Sequence, residues 1–145
     1  MFVSRSMTQK VITTDPEASV FDAYEKMSQN RIRHLPVIGA DGRLIGIVTD
    51  RDIRSALPFS MIKDPAHTAE TEKVKDLRVM DIMTTDPKTI GPHHTIQDAL
   101  VLIQELRVGA LPVVDKEGKL KGILSVRDLL LSRHRKRVRN RLRPG

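Results

Sequence analysis

Two short segments of this chain share one pattern, in which a glycine and two apolar residues precede a hydroxyl side chain and a carboxylate follows three residues after it. Thr49 precedes Asp52 and Ser125 precedes Asp128, and in each case a glycine and two apolar residues come just before the hydroxyl. A hydroxyl in the first turn of a helix lies beside N–H groups that favour a phosphate. A carboxylate on the same side of that turn can accept hydrogen bonds from the two hydroxyls of a ribose. The spacing therefore predicts a site for the phosphate and sugar of a nucleotide.

The same spacing is typical of a capping box, in which hydroxyl and carboxylate satisfy main-chain N–H groups and need no ligand. The residues alone leave both interpretations open. Catalysis is disfavoured, because Asp52 and Asp128 have no activating neighbour in sequence and would be held by their own caps. The adjacent His93 and His94 do not indicate a metal site, because neighbouring loop histidines do not easily reach one tetrahedral centre. We therefore predict no enzyme activity, no catalytic residue and no metal site.

Both segments belong to an internal repeat with a period of 76 residues. Residues 5–53 align with residues 81–129 without a gap, and 16 of the 49 pairs are identical. A repeat of this length is a supersecondary unit that has been doubled. A copy of about 50 residues is marginal alone, because a small domain buries too little of its surface. We therefore expect the two copies to pack together, with the functional sites where they meet.

Each copy predicts the element order β-α-β-β-α. A short extended piece precedes a helix with apolar residues at helical spacing, which Ser19 or Thr95 caps. Two strands joined by a turn that ends in glycine follow, and a last helix begins after Thr49 or Ser125. The predicted strands cover residues 34–38, 44–48, 110–114 and 120–124. The expected fold class is α+β, with two β-α-β-β-α repeats packed as a pseudo-twofold pair.

Composition and charge restrict the class of protein. The chain has no cysteine, and its longest apolar run is far shorter than the roughly 20 residues of a membrane span. We therefore expect a cytoplasmic protein without membrane association. The net charge of +7 arises in the segment Arg133–Arg143, which holds seven basic residues and no acidic one. Such a segment offers a salt-sensitive contact with nucleic acid or an acidic partner, and a solvated tail is the alternative.

As a set, the motifs of each copy resemble those of the tandem CBS-domain family, named after cystathionine β-synthase. Each copy has Met-Thr near its start (Met7, Met83), then Leu-Pro-Val (from Leu35 and Leu111), then Gly-x-Leu-x-Gly and the Gly-x-x-Thr/Ser-x-x-Asp ending. The resemblance spans about residues 3–132, and the two-copy layout is similar to small stand-alone bacterial CBS-pair proteins. On this basis we divide the chain into repeat 1 (1–57), a linker with a short helix (58–76), repeat 2 (77–132) and a basic tail (133–145).

The resemblance implies a Bateman module, with nucleotide clefts between the two copies and no required cofactor. In nucleotide-binding members, the Thr or Ser contacts phosphate and the Asp holds the ribose hydroxyls. These roles carry over to two pairs of residues here: Thr49 with Asp52, and Ser125 with Asp128. The resemblance also names five further lining candidates: Thr13, Arg33, His34, Thr89 and Ala110.

The two predicted sites are not equivalent. Arg33 is matched by Gly109, and Asp50 by Val126, so one phosphate region is basic where its counterpart is not. Whether one site or two are occupied stays open at this point. Adenosine compounds such as AMP, ADP and ATP are the family's commonest ligands, although no residue here selects the base.

The resemblance thus implies a regulatory, energy-sensing module. It would bind a small-molecule adenosine nucleotide, form a homodimer and act in trans on an unknown protein partner. The alternative is a dimeric interaction or nucleic-acid adaptor in which Arg133–Arg143 is the effector.

Overall fold

The computed structural model of this protein describes residues 1–57 and 75–130. Most of the predicted linker with its short helix, and all of the basic tail, lie outside these residues. The chain divides into two compact units. The first-repeat unit is Ile12–Pro87, and the second-repeat unit combines Met1–Val11 with Lys88–Gly145. Each unit therefore holds one repeat together with the Met-Thr segment of the other repeat.

The first-repeat unit places helices beside a small sheet. Ser19 begins its first helix by accepting a hydrogen bond from the Asp22 amide, and Arg31 ends that helix in the left-handed conformation, at φ 53°. The apolar residues at helical spacing face the core, as their spacing predicts. The elements are α1 (Val20–Asn30), β1 (His34–Ile38), β2 (Leu44–Thr49), α2 (Asp50–Ala56), α3 (Val79–Ile82) and β3 (Thr84–Thr85).

The sheet of this unit has the order β1-β2-β3, and both pairings are antiparallel. His34 lies opposite Thr49, and Ile47 lies opposite Thr84. Thr14 extends the sheet on the other side by pairing with Val37 in parallel. The Met-Thr segment at 83–84 is therefore an edge of the sheet that carries the first candidate site.

The second-repeat unit repeats this arrangement with its own elements. They are a 3-10 helix (Val3–Arg5), α4 (Ile96–Leu106), β4 (Ala110–Val114), β5 (Leu120–Ser125) and a helix, α5, described over residues 126–130. Thr95 caps α4 in a reciprocal capping box with Asp98. Ala110 lies opposite Ser125 in the β4–β5 pair, and Thr8 pairs with Ile123.

Each unit has its own aliphatic core. In the first-repeat unit the largest fully buried side chains include Leu35, Val48 and Ile53. Their counterparts in the second-repeat unit, Leu111, Leu124 and Leu129, are equally buried. Because side chains alternate along a strand, burial of Leu35 and Val48 on the core side directs His34 and Thr49 to the opposite face of the sheet.

The structure confirms the α+β class and most of the local predictions. β1 and β4 have the predicted bounds, and Ser19 and Thr95 cap the predicted helices. β2 and β5 are each one residue longer than predicted. The reason is that Thr49 and Ser125 still pair across the sheet before they cap the next helix. Among residues 1–57 and 75–130, no helix is long and apolar enough to span a membrane.

The glycines Gly46 and Gly122 make room for the Met-Thr segments. A Cβ atom on Gly46 would lie 2.5 Å from Met83 Sδ and 3.0 Å from the Thr84 carbonyl oxygen. A Cβ atom on Gly122 would lie 2.5 Å from Met7 Sδ. A glycine in a strand permits close approach. Here a methionine side chain and main chain of the neighbouring edge segment occupy the space beside it.

We expect Gly46→Ala to lower the free energy of unfolding by about 1–3 kcal/mol, because the added methyl group overpacks the strand against Met83. Urea denaturation of the wild-type and variant proteins measures the difference. The Met83→Ala background serves as the control: there the cost of Gly46→Ala should shrink, because the sulfur is absent. An equal cost in both backgrounds would contradict the proposed contact.

Candidate functional site

The strand-to-helix junction of the first-repeat unit is a complete capping box. Thr49 Oγ1 accepts a hydrogen bond from the Asp52 amide at 3.3 Å, and Asp52 Oδ2 accepts one from the Thr49 amide at 2.9 Å. Both residues are half-buried. The cap fixes the start of α2 and the orientation of the carboxylate in the same step.

The second-repeat unit has the same junction. Ser125 Oγ accepts from the Asp128 amide at 3.1 Å, and Asp128 Oδ2 accepts from the Ser125 amide at 3.0 Å. Both motifs therefore form capping boxes, as one of the two interpretations predicts. The cap leaves part of the hydrogen-bonding capacity of these side chains unused, because a carboxylate has a second oxygen and a hydroxyl keeps one O–H donor. Over the described ranges, no hydrogen bond uses Oδ1 of Asp52 or of Asp128.

A third capping box in the chain shows what distinguishes these two. Thr95 and Asp98 at the start of α4 make the same reciprocal bonds, at 3.0 and 3.1 Å, but both residues are exposed. The Asp52 and Asp128 junctions are half-buried instead. A half-buried carboxylate oxygen without a partner gains more from a ligand hydroxyl than an exposed one, because water satisfies it less completely.

The main-chain amides at these junctions are less available than the sequence suggests. The Asp50 amide donates to the Arg33 carbonyl at 3.0 Å, and the Val126 amide donates to the Gly109 carbonyl at the same distance. The amides of Asp52 and Asp128 are used by the caps. Two main-chain amides at each junction are therefore engaged within the protein, and we expect side chains to supply most of the contacts with a phosphate.

Two lining candidates of the first-repeat unit, Thr13 and His34, share one face of the sheet. His34 is the cross-strand partner of Thr49, and directly opposed residues lie on the same face. Thr14 pairs with Val37 on the core side, so alternation directs Thr13 to the face of His34. The Thr13 carbonyl also accepts a 2.8 Å hydrogen bond from Lys26 Nζ, which holds this segment in place.

The corresponding candidates of the second-repeat unit are arranged in the same way. Ala110 is the cross-strand partner of Ser125. Ile90 pairs with the buried Val113, so Thr89 is directed to the face of Ala110. Each unit thus brings the hydroxyl residue of its cap and two of its lining candidates to a single sheet face.

At this sheet face, the pKa of His34 is shifted by its surroundings. Partial burial lowers the pKa of His34, the negative charge of Asp50 opposes that shift, and the positive charge of Arg33 adds to it. Since burial is the largest of these effects, the imidazole is predominantly neutral near pH 7. A neutral ring can donate from one nitrogen and accept at the other, as recognition of a nucleobase requires.

Arg33 is exposed, and it lines an open pocket of about 260 Å³ between α1 and α2. Arg31 and Arg54 line the same pocket, and Asp50 lies 3.5 Å from Arg54. The sequence interpretation did not identify Arg31 or Arg54. The signal was present, because Asp50 and Arg54 have the i,i+4 spacing of a helical ion pair.

The histidines 93 and 94 are both exposed. His94 Nδ1 is 3.6 Å from Asp98 Oδ2 at the exposed start of α4. Within the part of the chain that the structure describes, no group of three His, Cys, Asp or Glu side chains is placed to hold a metal ion.

Comparisons with known proteins identify the relatives of this chain. A CBS domain-containing protein of Dictyostelium discoideum is 33% identical over 130 residues, which are 90% of this chain and 89% of that protein. The inosine-5'-monophosphate dehydrogenase of Korarchaeum cryptofilum is 37% identical over 82% of this chain, but this is 21% of the enzyme. The chain spans about a fifth of each such dehydrogenase, so these matches carry no assignment of catalysis.

Solved structures agree with the sequence relatives. The crystal structure of CBSX2 in complex with AMP is similar with a TM-score of 0.79 at 30% identity, covering 94% of this chain and 98% of that chain. The acetoin utilization protein of Vibrio cholerae has a TM-score of 0.80 at 24% identity, covering 99% and 98% of the two chains, and supports the fold alone. The CBS domain family model matches residues 3–58 and 79–135. This chain therefore belongs to the CBS domain family.

Proposed function

We propose that this chain is a regulatory module that binds an adenosine nucleotide at its strand-to-helix junctions. The observation that carries the proposal is the half-buried capping box that occurs twice, each time with one carboxylate oxygen free of hydrogen bonds among the described residues. The similarity to CBSX2, whose structure contains AMP, supports the choice of ligand class. The ligand is AMP, ADP, ATP or a related compound.

Capping and ligand binding use different atoms of the same side chains. Oδ2 of Asp52 and of Asp128 caps the helix, while Oδ1 accepts from the ribose hydroxyls. The hydroxyl oxygens of Thr49 and Ser125 accept from the capped amide, while their O–H groups donate to a phosphate oxygen. The cap holds both groups before the ligand arrives, so little conformational entropy is lost on binding.

The side chains beside the caps give the two units different ligand chemistry. In the first-repeat unit Arg33 supplies a cation for the phosphate, and neutral His34 with Thr13 contacts the base. In the second-repeat unit Gly109 replaces that cation, and the buried Ala110 with Thr89 offers less polar contacts. We therefore expect the first-repeat site to prefer the ligand with more phosphate groups, because each added phosphate strengthens the contact with Arg33.

The remaining parts of the sequence interpretation stay predictions. They are the homodimer, the action in trans on a protein partner, the cytoplasmic compartment and the contact of Arg133–Arg143 with nucleic acid. Regulation by a bound nucleotide needs no further cofactor and no catalytic step. A failure of every nucleotide to bind would favour the adaptor alternative.

We expect AMP at about 100 times its dissociation constant to stabilise the protein by roughly 2.7 kcal/mol. Asp52→Ala and Asp128→Ala should each weaken AMP binding at their own site by about ten- to a hundredfold, since a hydrogen bond to a charged group contributes roughly 1.5–3 kcal/mol. Isothermal titration calorimetry with AMP measures both affinities.

Asp98→Ala is the matched control for these variants. It deletes the same kind of capping box from α4, so it loses comparable helix stabilisation, but it removes no proposed ligand contact. AMP affinity should stay at the wild-type value in this variant. If Asp52→Ala and Asp128→Ala weaken binding no more than Asp98→Ala does, the aspartates are caps only and the proposed roles are wrong.

The proposed neutral state of His34 predicts a pH dependence of stability. Because the folded-state pKa of His34 lies below its ordinary value of about 6.5, the unfolded chain binds its proton more readily. The stability that neutral His34 contributes is therefore present above pH 6.5 and is lost as the pH falls below it. Thermal unfolding between pH 7.5 and 5.5 should show a steeper loss for wild type than for His34→Ala.

His93→Ala, which removes an exposed histidine, is the control for that series. It should keep the wild-type dependence of unfolding on pH. Parallel pH profiles for wild type and His34→Ala would show that burial of this imidazole does not contribute to stability.

A further inference from the structure

One pocket of the first-repeat unit has an apolar floor and a basic rim. It is open, lies between α1 and α2 and has a volume of about 260 Å³. Its floor includes Met27 and Ile53, which belong to the core of this unit and are 4% and 1% exposed. Its rim carries the exposed side chains of Arg31, Arg33 and Arg54. We call this site the basic pocket.

The charges of the basic pocket are only partly balanced. Three arginines line it together with one carboxylate, that of Asp50, which lies 3.5 Å from Arg54. Over residues 1–57 and 75–130, no ion pair involves the side chain of Arg31 or Arg33. Two guanidinium groups therefore remain for an anionic ligand, and the planar guanidinium matches the geometry of a carboxylate.

The main chain that carries these arginines is held in place. The Arg31 amide donates to the carbonyls of Met27 and Ser28, where α1 ends in the left-handed conformation. The Asp50 amide donates to the Arg33 carbonyl at 3.0 Å. The pocket is therefore largely ordered before a ligand arrives, which lowers the entropic cost of binding.

The second repeat shows that the fold does not require this charge. Arg33 and Arg54 are matched there by Gly109 and Leu130. Arg31 is matched by Arg107, which ends α4 in the same left-handed conformation. The basic rim therefore belongs to the first repeat, and the second repeat supplies matched positions for testing it.

The size and the lining of the basic pocket favour a side chain presented by another protein. Pockets that enclose a small molecule typically have roughly 300–1,000 Å³ and cover most of its surface, whereas this one is smaller and open. Arginine, tyrosine and methionine are enriched at protein interfaces, and the pocket has all three, with Tyr24 beside Met27. A nucleic-acid backbone would contact the arginines but would leave the apolar floor without a partner.

We infer that the basic pocket is a docking site for an acidic segment of a partner protein, in which glutamate or aspartate stands next to an aliphatic residue. The carboxylates bind the arginines of the rim, and the aliphatic side chain covers the floor. The inference goes beyond nucleotide binding and does not depend on it. Arg33 is also the proposed phosphate contact, so Arg31 and Arg54 are the residues that separate the two roles.

The probe is a fluorescein-labelled peptide with the sequence Glu-Glu-Leu-Glu-Glu, and its fluorescence polarisation measures binding to the full chain. Arg31→Gln should weaken binding by about tenfold, since a hydrogen bond between charged groups is lost. Arg54→Leu, which introduces the residue type of position 130, should weaken it as well. Arg107→Gln is the matched control and should bind the peptide as the wild type does.

Two altered peptides test the rim and the floor separately. The peptide Gln-Gln-Leu-Gln-Gln lacks the carboxylates, and Glu-Glu-Ser-Glu-Glu lacks the aliphatic side chain, so both should bind more weakly than the original. Equal binding of Glu-Glu-Ser-Glu-Glu would indicate a contact of charge alone, such as one with Arg133–Arg143, and would overturn the inference.

The position of the bound peptide is tested with single cysteines, since the chain has none of its own. Ser28 lines the pocket, and its counterpart in the second repeat is Gln104; both are exposed. Ser28→Cys should couple readily to a Glu-Glu-Leu-Glu-Glu peptide that carries a maleimide, whereas Gln104→Cys should couple slowly. Equal coupling rates would place the peptide elsewhere and overturn the inference.

Three further measurements separate docking from other uses of the pocket. Arg31→Gln should keep the wild-type affinity for AMP in isothermal titration calorimetry, so a loss would assign Arg31 to the nucleotide site. Binding of a DNA duplex, or self-association in sedimentation equilibrium, should not respond to Arg31→Gln. Either response would overturn the inference, and so would a wild-type protein that does not bind Glu-Glu-Leu-Glu-Glu. Failure of AMP to bind the wild type would refute nucleotide binding alone.

Discussion

The reciprocal hydrogen bonds at the strand-to-helix junctions constrain everything else that we propose for this chain. Thr49 is both the last residue of β2 and the N-cap of α2, so one side chain determines where the strand ends and where the helix begins. Asp52 completes the cap and is held in one orientation by it. The same holds for Ser125 and Asp128. A carboxylate oriented in this way is a preorganised acceptor, because the cost of ordering it is met by folding and not by binding.

A capping role does not compete with a ligand role at such a junction. The pattern of a hydroxyl followed three residues later by an aspartate occurs at Ser19, Thr49, Thr95 and Ser125, and the last three form the same reciprocal box. What separates them is burial, since the Thr95 cap is exposed and the other two are half-buried. Burial depends on which elements pack nearby and is not a property of the tetrapeptide. The motif alone therefore could not decide between cap and site.

Local features of this fold were predictable from sequence, whereas long-range pairing was not. The bounds of β1 and the cap at Ser19 follow from alternation and capping preferences that act over a few residues. The pairing of Thr84 with Ile47 joins segments far apart in the chain, and periodicity shows which face is buried but not which segment covers it. The use of Gly46 by Met83 was missed for the same reason. His34 and Thr49 were nevertheless placed opposite each other, because the short turn between β1 and β2 determines the register of that strand pair.

The two repeats have the same main-chain hydrogen bond at the junction but different side chains beside it. The bond from the Asp50 amide to the Arg33 carbonyl has the same length as the bond from the Val126 amide to the Gly109 carbonyl, 3.0 Å in each case. The junction therefore tolerates a charged or an apolar side chain at these positions without loss of main-chain hydrogen bonding. The side chains of Asp50 and Val126 are therefore not determined by this main-chain hydrogen bond. The junction thus carries a charged residue, Asp50, beside one cap and an apolar residue, Val126, beside the other.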